Sequence, residues 1–252
     1  MLKLDQLTVI FGDRTILDGL NLTLPTGQCV GLIGANGAGK STLFKAISQE
    51  IGYQGSVFCQ EQNLKACSTQ AMARLMGVLP QTNHLTFPFT VEEVILLGRM
   101  MHCSSNNENK SIAQSMMEQF DIAHLSKQNY LHLSGGEKQR VHAARVWSQL
   151  YYPNDQDTRL LLLDEPTSAL DLRHQHQLLG LAKAFAGQGN LVLATLHDLN
   201  LAARYCDYLV LLHGAKVIAQ GQPKAVLTPE NIQTAYGYQA QVLEQAGHYI
   251  IC

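Results

Sequence analysis

The 252-residue sequence predicts an α/β fold, a parallel sheet covered by helices on both faces, and three observations carry that reading. A glycine-rich stretch, "GANGAGKST" at 34–42, joins an apolar strand to a run of helix formers. Two short runs, "RLLLLDEP" (159–166) and "NLVLATLHD" (190–198), are continuously apolar and end in polar residues, the pattern of strands buried on both faces. From about residue 90 to 150 the pattern is helical, which implies a helical block inserted between strands.

Residues 2–11 and 16–24 read as strands of an opening sheet, split by the turn signal "GDR". "QCVGLIG" (28–34) is a buried strand ending in glycine, "STLFKAIS" (41–48) a helix, and "GSVF" (55–58) a strand. "STQAMARLMG" (68–77) is a short helix capped by Ser68 or Thr69, followed by the strand "VLPQ" (78–81). The helical block includes "SIAQSMMEQFDIAHL" (111–125), with a polar break ahead of it at "HCSSNNENK" (102–110). A further helix begins at "LSGGEKQR" (133–140). Chemistry is expected at the C-terminal ends of the parallel strands.

Composition narrows the function classes. Lys+Arg 18 against Asp+Glu 20 gives a net charge of -2, so no basic field calls for nucleic acid or an anionic lipid surface. The six cysteines form no CxxC pair and no repeated spacing, which argues against a zinc site or a disulfide framework and for a reducing compartment. The first residues alternate like a strand, and no apolar run approaches the roughly 18 residues of a membrane span. The expectation is a soluble chain whose membrane role, if it has one, comes through a partner.

Three motifs carry chemistry. In 34–42, Gly34, Gly39, Lys40 and Ser41 fit the phosphate-loop pattern: glycines let the backbone wrap phosphates, Lys40 reaches the β and γ phosphates, and Ser41 binds Mg²⁺. At the end of an apolar strand, Asp164 is placed to hold Mg²⁺ through water, and Glu165 is the candidate to polarise the attacking water. His197 ends another buried strand, the one feature that separates it from the other nine histidines. Ser134, Gly135 and Gly136 open a helix, where bare N–H groups and the positive dipole end make a second anion site.

Taken together and in this order, the motifs resemble the ATP-binding cassette family, the nucleotide-hydrolysing subunits of ABC transporters, over nearly the whole chain. The resemblance implies a P-loop NTPase cassette with a RecA-like core, an antiparallel β subdomain and an inserted α-helical subdomain. It implies one domain over 1–252, with the core and β subdomain in about 1–85 and 151–252 and the helical subdomain in about 86–150. ATP would bind through Phe11, stacked on adenine, and through Gly34, Ala35, Asn36, Gly37, Ala38, Gly39, Lys40, Ser41 and Thr42. Ser41, Gln81 of the Q-loop and Asp164 would hold Mg²⁺, Glu165 and the switch histidine His197 would act in catalysis, and Asp171 would belong to the D-loop "SALD". Phe11 stands where the family more usually has tyrosine.

The same resemblance answers what the second anion site is for. In the family two cassettes pack head to tail, so Ser134, Gly135, Gly136 and Glu137 of one copy would serve the γ-phosphate held by the other. Within the family, "FPFTVEEV" (87–94) and "DLRHQHQ" (171–177) are similar to importers of iron chelates and cobalamin, and most to hemin-import ATP-binding subunits. That implies a homodimer at the cytoplasmic face of the inner membrane, a permease dimer reached through 81–99, and indirectly a periplasmic or surface haem-binding protein. Ferric siderophore and cobalamin remain alternative cargoes. "RYCDYLVLLHGAKVIAQGQPKAVLTPENI" (204–232) matches the import families' ending, a hairpin and a short helix. "GRMMHCSSNNENK" (98–110) departs from it, and "YYPNDQDTR" (151–159) is a polar extension.

Competing readings are weaker. Met100, Met101, His102 and Cys103 are residue types that ligate haem iron, but an exposed loop is the plainer reading. His174 and His176 read as a solvated helix face rather than a metal site. A soluble ABC ATPase of repair or translation would bring a coiled-coil insertion, fused cassettes or basic surfaces. A non-enzymatic phosphate-binding module would lack Glu165 or the "LSGGEKQR" stretch.

Overall fold

The computed structural model describes residues 1–82, 85–152, 155, 157–245 and 248–252. Of the segments 81–99 and 151–159 singled out above, residues 83, 84, 153, 154 and 156 therefore lie outside the described residues. The first half of the chain runs through β1 (Leu2–Phe11), β2 (Arg14–Leu24), β3 (Gln28–Ile33), α1 (Lys40–Ile47), β4 (Gln54–Cys59), β5 (Gln62–Asn63), α2 (Thr69–Leu75) and β6 (Met76–Leu79). Then come α3 (Val91–Leu97), α4 (Asn106–Gln119), α5 (Gly135–Leu150), β7 (Leu160–Leu163), α6 (Leu172–Gly187), β8 (Leu191–Thr195) and α7 (Leu199–Tyr205). The chain closes with β9 (Tyr208–His213), β10 (Lys216–Gly221), α8 (Pro223–Val226), α9 (Pro229–Tyr236), β11 (Val242–Gln245) and β12 (His248–Ile251).

Two sheets and a hairpin result. An antiparallel sheet has the order β2-β1-β4-β5, a larger sheet the order β10-β9-β3-β8-β7-β6, and β11 pairs with β12. From β9 to β6 the larger sheet is parallel, and β10 closes one edge antiparallel. The continuous apolar runs are explained by where their two faces go. Leu160 and Leu162 of β7, with Leu191 and Leu193 of β8, face a core shared with β1, β2 and α1. Leu161 and Leu163, with Val192 and Ala194, face a second core built from the helices. Each leucine buried in this way contributes roughly 1.5–3 kcal/mol, so a charge anywhere in β7 would be strongly opposed.

The block between β6 and β7 is helical, as its periodicity predicts. Val91, Val94 and Ile95 of α3, Ile112, Met116 and Met117 of α4 and Trp147 of α5 share one apolar cluster, with Phe120 edge-on to Trp147 at 5.3 Å between ring centroids. Helices α3 and α5 approach closely at Gly98, where a Cβ would sit 2.3 Å from the Arg145 carbonyl oxygen. The polar stretch 102–110 is not all break: α4 begins inside it at Asn106, because Ser105 Oγ accepts the Glu108 N–H at 3.2 Å and caps the helix. The C-terminal β11–β12 hairpin was not foreseen; its strands of four residues are too short for alternation to register.

The register of the parallel sheet places the site. Leu79 of β6 pairs with Leu163 of β7, Leu163 with Ala194 of β8, and Leu32 of β3 with Thr195. Four neighbouring strands therefore end level, and the residues one or two positions beyond their ends, Gln81, Asp164, Glu165, His197 and Gly34, emerge on one edge.

Candidate functional site

The loop 34–42 contains two glycines, Gly34 and Gly39, where a side chain would collide with its neighbours. Gly34 has φ 147°, and a Cβ there would lie 2.4 Å from the Leu212 carbonyl oxygen. Gly39 has φ 97° at the N-cap of α1 and supplies no side chain to cap it, so the amides of the first turn remain open to an anion. Lys40 is nearly buried, and the loop curls around its ammonium, which donates to the Gly34 carbonyl at 2.6 Å and the Ala35 carbonyl at 3.0 Å. Burial pushes its pKa down, while Glu165 and Asp164 act in the opposite sense. The Gly34 N–H donates to the Tyr236 hydroxyl at 2.8 Å, a contact between residues 202 positions apart.

Across from the loop, Asp164 and Glu165 are bound through one side chain that the sequence reading passed over. Thr195, fully buried at the end of β8, donates from Oγ1 to Asp164 Oδ1 at 2.8 Å and accepts the Glu165 N–H at 2.6 Å. The Ser41 hydroxyl donates to the same Asp164 oxygen at 3.4 Å. Glu165 has φ 47°, left-handed backbone that costs a non-glycine residue about 1–3 kcal/mol, and the Thr195 bond holds it there. Its carboxylate is bracketed: Gln81 Nε2 donates to Oε2 at 2.6 Å and His197 Nε2 lies 2.6 Å from Oε1. The only sequence signal for Thr195 is a hydroxyl closing an otherwise apolar strand.

The second anion site carries a capping box beside its bare glycine N–H groups. Ser134 caps α5 through a reciprocal box, its Oγ accepting the Glu137 N–H at 3.3 Å while Glu137 Oε2 accepts the Ser134 N–H at 2.8 Å and hydroxyl at 2.7 Å. Those bonds hold the Glu137 carboxyl below its ordinary range. The S-x-x-E spacing is itself the signature of this box. Among the described residues, the first-turn amides left uncapped are those of Gly135 and Gly136. The helix start borders a cleft of about 240 Å³ lined by Ser134, Gly136, Glu137, Arg140, Asp171 and His174, and no residue of 34–42 lines it. Within one chain, therefore, the two anion sites are separate.

Asp171 caps α6, accepting the His174 N–H at 2.9 Å, and His174 Nδ1 lies 2.8 Å from the same oxygen. Arg140 Nη1 reaches His174 Nε2 at 2.7 Å, so the imidazole links α5 to the Asp171 cap of α6. Gly136 lies close against the 168–171 turn, where a Cβ would make a tight 3.0 Å contact with the Ala169 oxygen. Phe11 ends β1 with its ring 52 % exposed. In the 100–103 loop, His102 Nε2 is committed to the Gln149 carbonyl at 2.9 Å and its ring stacks on Tyr152 at 4.2 Å. Among the described residues no group of three or more His, Cys, Asp or Glu is placed to hold a metal. His176 Nδ1 pairs with the Tyr205 hydroxyl at 2.8 Å.

Residues 17–168, which include the loop, Asp164 and Glu165, match the family model described as ABC transporter. The chain belongs to the ABC transporter family. A Hemin import ATP-binding protein HmuV of Pseudomonas fluorescens is 45 % identical over 254 residues, covering 100 % of this chain and 99 % of that one. Another of the same name, from Vibrio vulnificus, is 44 % identical over 96 % of this chain and 92 % of its own. Among solved structures, a chain of a metal-chelate type ABC transporter in an inward-facing conformation superposes with a TM-score of 0.80 at 25 % identity, covering 100 % of this chain and 97 % of that one. The ABC fold is thus the P-loop cassette, and the chain is an ATP-hydrolysing member. Among the described residues no helix of this ABC chain is long and apolar enough to cross a membrane.

Proposed function

We propose that this chain is the ATPase subunit of an ABC importer for haem, working as a head-to-tail homodimer on a membrane permease dimer. The observation that carries the ATPase assignment is the convergence of Lys40, Ser41, Gln81, Asp164, Glu165 and His197 on one sheet edge. The loop amides of 36–42 and Lys40 bind the phosphates, Lys40 exchanging the Gly34 and Ala35 carbonyls for phosphate oxygens. Phe11 offers an exposed ring for adenine. The donor set Ser41 hydroxyl, Asp164 carboxylate and Gln81 amide oxygen is hard and anionic, which fits Mg²⁺; when bound, Mg²⁺ neutralises charge on the β and γ phosphates. With Nε2 on Glu165, Gln81 has its Oε1 as the atom that can ligate a cation.

Glu165 accepts the proton of the attacking water, and the Gln81 and His197 contacts orient its carboxylate for that task. His197 is 45 % exposed, and Gln81 is exposed as well. Ser134 and the Gly135 and Gly136 amides of the second copy complete the γ-phosphate site, so that ATP closes the dimer and hydrolysis releases it. The motion passes to the permease through the segment after Gln81, where Phe87 is 66 % exposed. On this reading the chain works peripherally at the cytoplasmic face of the inner membrane, with any haem-binding protein contacting the permease rather than this subunit.

Haem is favoured as cargo by near-full-length identity to hemin-import ATP-binding proteins. The gene is deleted and haem, ferric siderophore or cobalamin is supplied as the sole source of the nutrient. A growth defect confined to haem is expected. Normal growth on haem with a defect on siderophore would overturn the cargo and leave the importer reading standing.

A further inference from the structure

The residue that opens the phosphate loop is held on three sides. The Gly34 Cα is pressed against the Leu212 carbonyl, its own carbonyl receives the Lys40 ammonium at 2.6 Å, and its N–H is received by the Tyr236 hydroxyl at 2.8 Å. The first two holds come from the neighbouring strand and from the loop itself. The third comes from α9, beyond residues 17–168, and nothing in the hydrolytic motifs accounts for it.

The sequence "TPENIQTAYG" puts that hydroxyl in place by ordinary helix rules. Thr228 caps α9 by accepting the Asn231 N–H at 3.2 Å, and Pro229 occupies the first turn, where its missing N–H costs nothing. Ile232 and Ala235 bury one face. Asn231 Nδ2 donates to the Val226 carbonyl at 2.9 Å and latches α9 to α8. Gly237, with φ 69°, ends the helix directly after Tyr236. Helix start, buried face and stop together leave the Tyr236 ring one place to go. Burial pushes its phenol up to about 12, so it remains a hydroxyl at any physiological pH.

We propose that Tyr236 is a positioning residue of the nucleotide site, its hydroxyl setting the Gly34 peptide from which the phosphate loop departs. The inference rests on reading 34–42 as the loop that binds ATP. Without the hydroxyl the Gly34 N–H loses its acceptor in a partly buried place, and the peptide is free to turn toward another. The loop amides downstream then no longer converge on the phosphates. Because those amides serve the α and β phosphates as well as the γ, binding of ATP and ADP weakens together.

The test is Tyr236→Phe in the full chain, with Lys40→Ala in parallel. KM for ATP and Kd for ADP are each expected to rise about tenfold, the size of one lost hydrogen bond at a buried site, with kcat held within about twofold. The ring is kept but the Gly34 N–H is orphaned, so the melting temperature without nucleotide should fall by only about 2–6 °C. A purely structural role would lower the active fraction, cutting kcat and leaving KM in place. That pattern, or unchanged KM and Kd while Lys40→Ala loses nucleotide, would overturn the role of Tyr236 alone. If Lys40→Ala bound ATP and ADP normally, the reading of the loop would fail and the inference with it.

Discussion

Replacing Thr195 with valine removes one hydroxyl and keeps the shape, so its effect can be worked from the two bonds that hydroxyl makes. It donates to the Asp164 carboxylate at 2.8 Å and accepts the Glu165 N–H at 2.6 Å, with the residue fully buried. A hydrogen bond to a charged group contributes about 1.5–3 kcal/mol, and an orphaned buried amide costs about 1–3 kcal/mol. Asp164 keeps the Ser41 hydroxyl at 3.4 Å, which offsets part of the first loss. A net destabilisation of about 3 kcal/mol follows, and for a chain of this size a fall in melting temperature of roughly 6–12 °C. Catalysis should suffer more than binding. Glu165 sits at φ 47° with Thr195 holding its amide, and once released its carboxylate moves off the water. A shift of this kind costs on the order of 10²-fold in kcat, with KM for ATP little changed. Thermal melts and steady-state hydrolysis of Thr195→Val and Thr195→Ser decide the matter. Serine keeps the hydroxyl and should retain most activity; a valine variant that melts and turns over like wild type, with serine the worse of the two, would refute the reasoning.

Four further outcomes follow from the same geometry. Glu165→Gln should keep nucleotide affinity, lose most turnover and accumulate an ATP-stabilised dimer, whereas Lys40→Ala should lose affinity; nucleotide titration and size-exclusion chromatography separate the two, and normal turnover in Glu165→Gln would remove it from the base role. Ser134→Arg should abolish hydrolysis yet leave ATP affinity of the isolated chain near wild type, because the cleft at Ser134 contains no residue of 34–42, and mixing with Lys40→Ala should rebuild one complete site of the two. His142 is buried with its pKa pushed down to about 3, against about 6.5 when unfolded, so stability is full above pH 6.5 and falls as pH drops from 6.5 toward 3. The loss between pH 7.5 and 5.0 should be about 2 kcal/mol, and His142→Gln should flatten the dependence in urea unfolding. Phe87→Ala should uncouple transport from basal hydrolysis in reconstituted vesicles; Phe87 is the cleaner position, since Phe89 also packs against the helical core.

Local chemistry made much of this protein legible from its residues alone. The strands β3, β7 and β8 are visible because a strand buried on both faces must be apolar at every position, and "RLLLLDEP" and "NLVLATLHD" are. Ser68 and Ser134 mark helix starts because an uncapped first turn leaves donors that a hydroxyl satisfies cheaply. The phosphate loop is legible because glycines stand at 34, 37 and 39, all at positive φ that other residues rarely adopt, and a lysine and serine then follow at fixed spacing. The start of α4 was misread because asparagines in a polar run look like loop until Ser105 is seen to cap them.

Tertiary structure decided what no local rule reaches. Strand order and register bring Gln81 and His197, 116 residues apart in sequence, to the two oxygens of Glu165, and pairing across a parallel sheet is a long-range choice that the strand sequences do not state. Thr195 and Tyr236 went unnoticed for the same reason: a threonine ending a strand and a tyrosine ending a helix are common, and their importance lies in the Asp164 carboxylate and the Gly34 amide they meet on folding. Residue type sets which bonds a side chain can make; the packing of sheet against helices determines which of those bonds it has to make, because a polar group carried into the core has no water left to turn to.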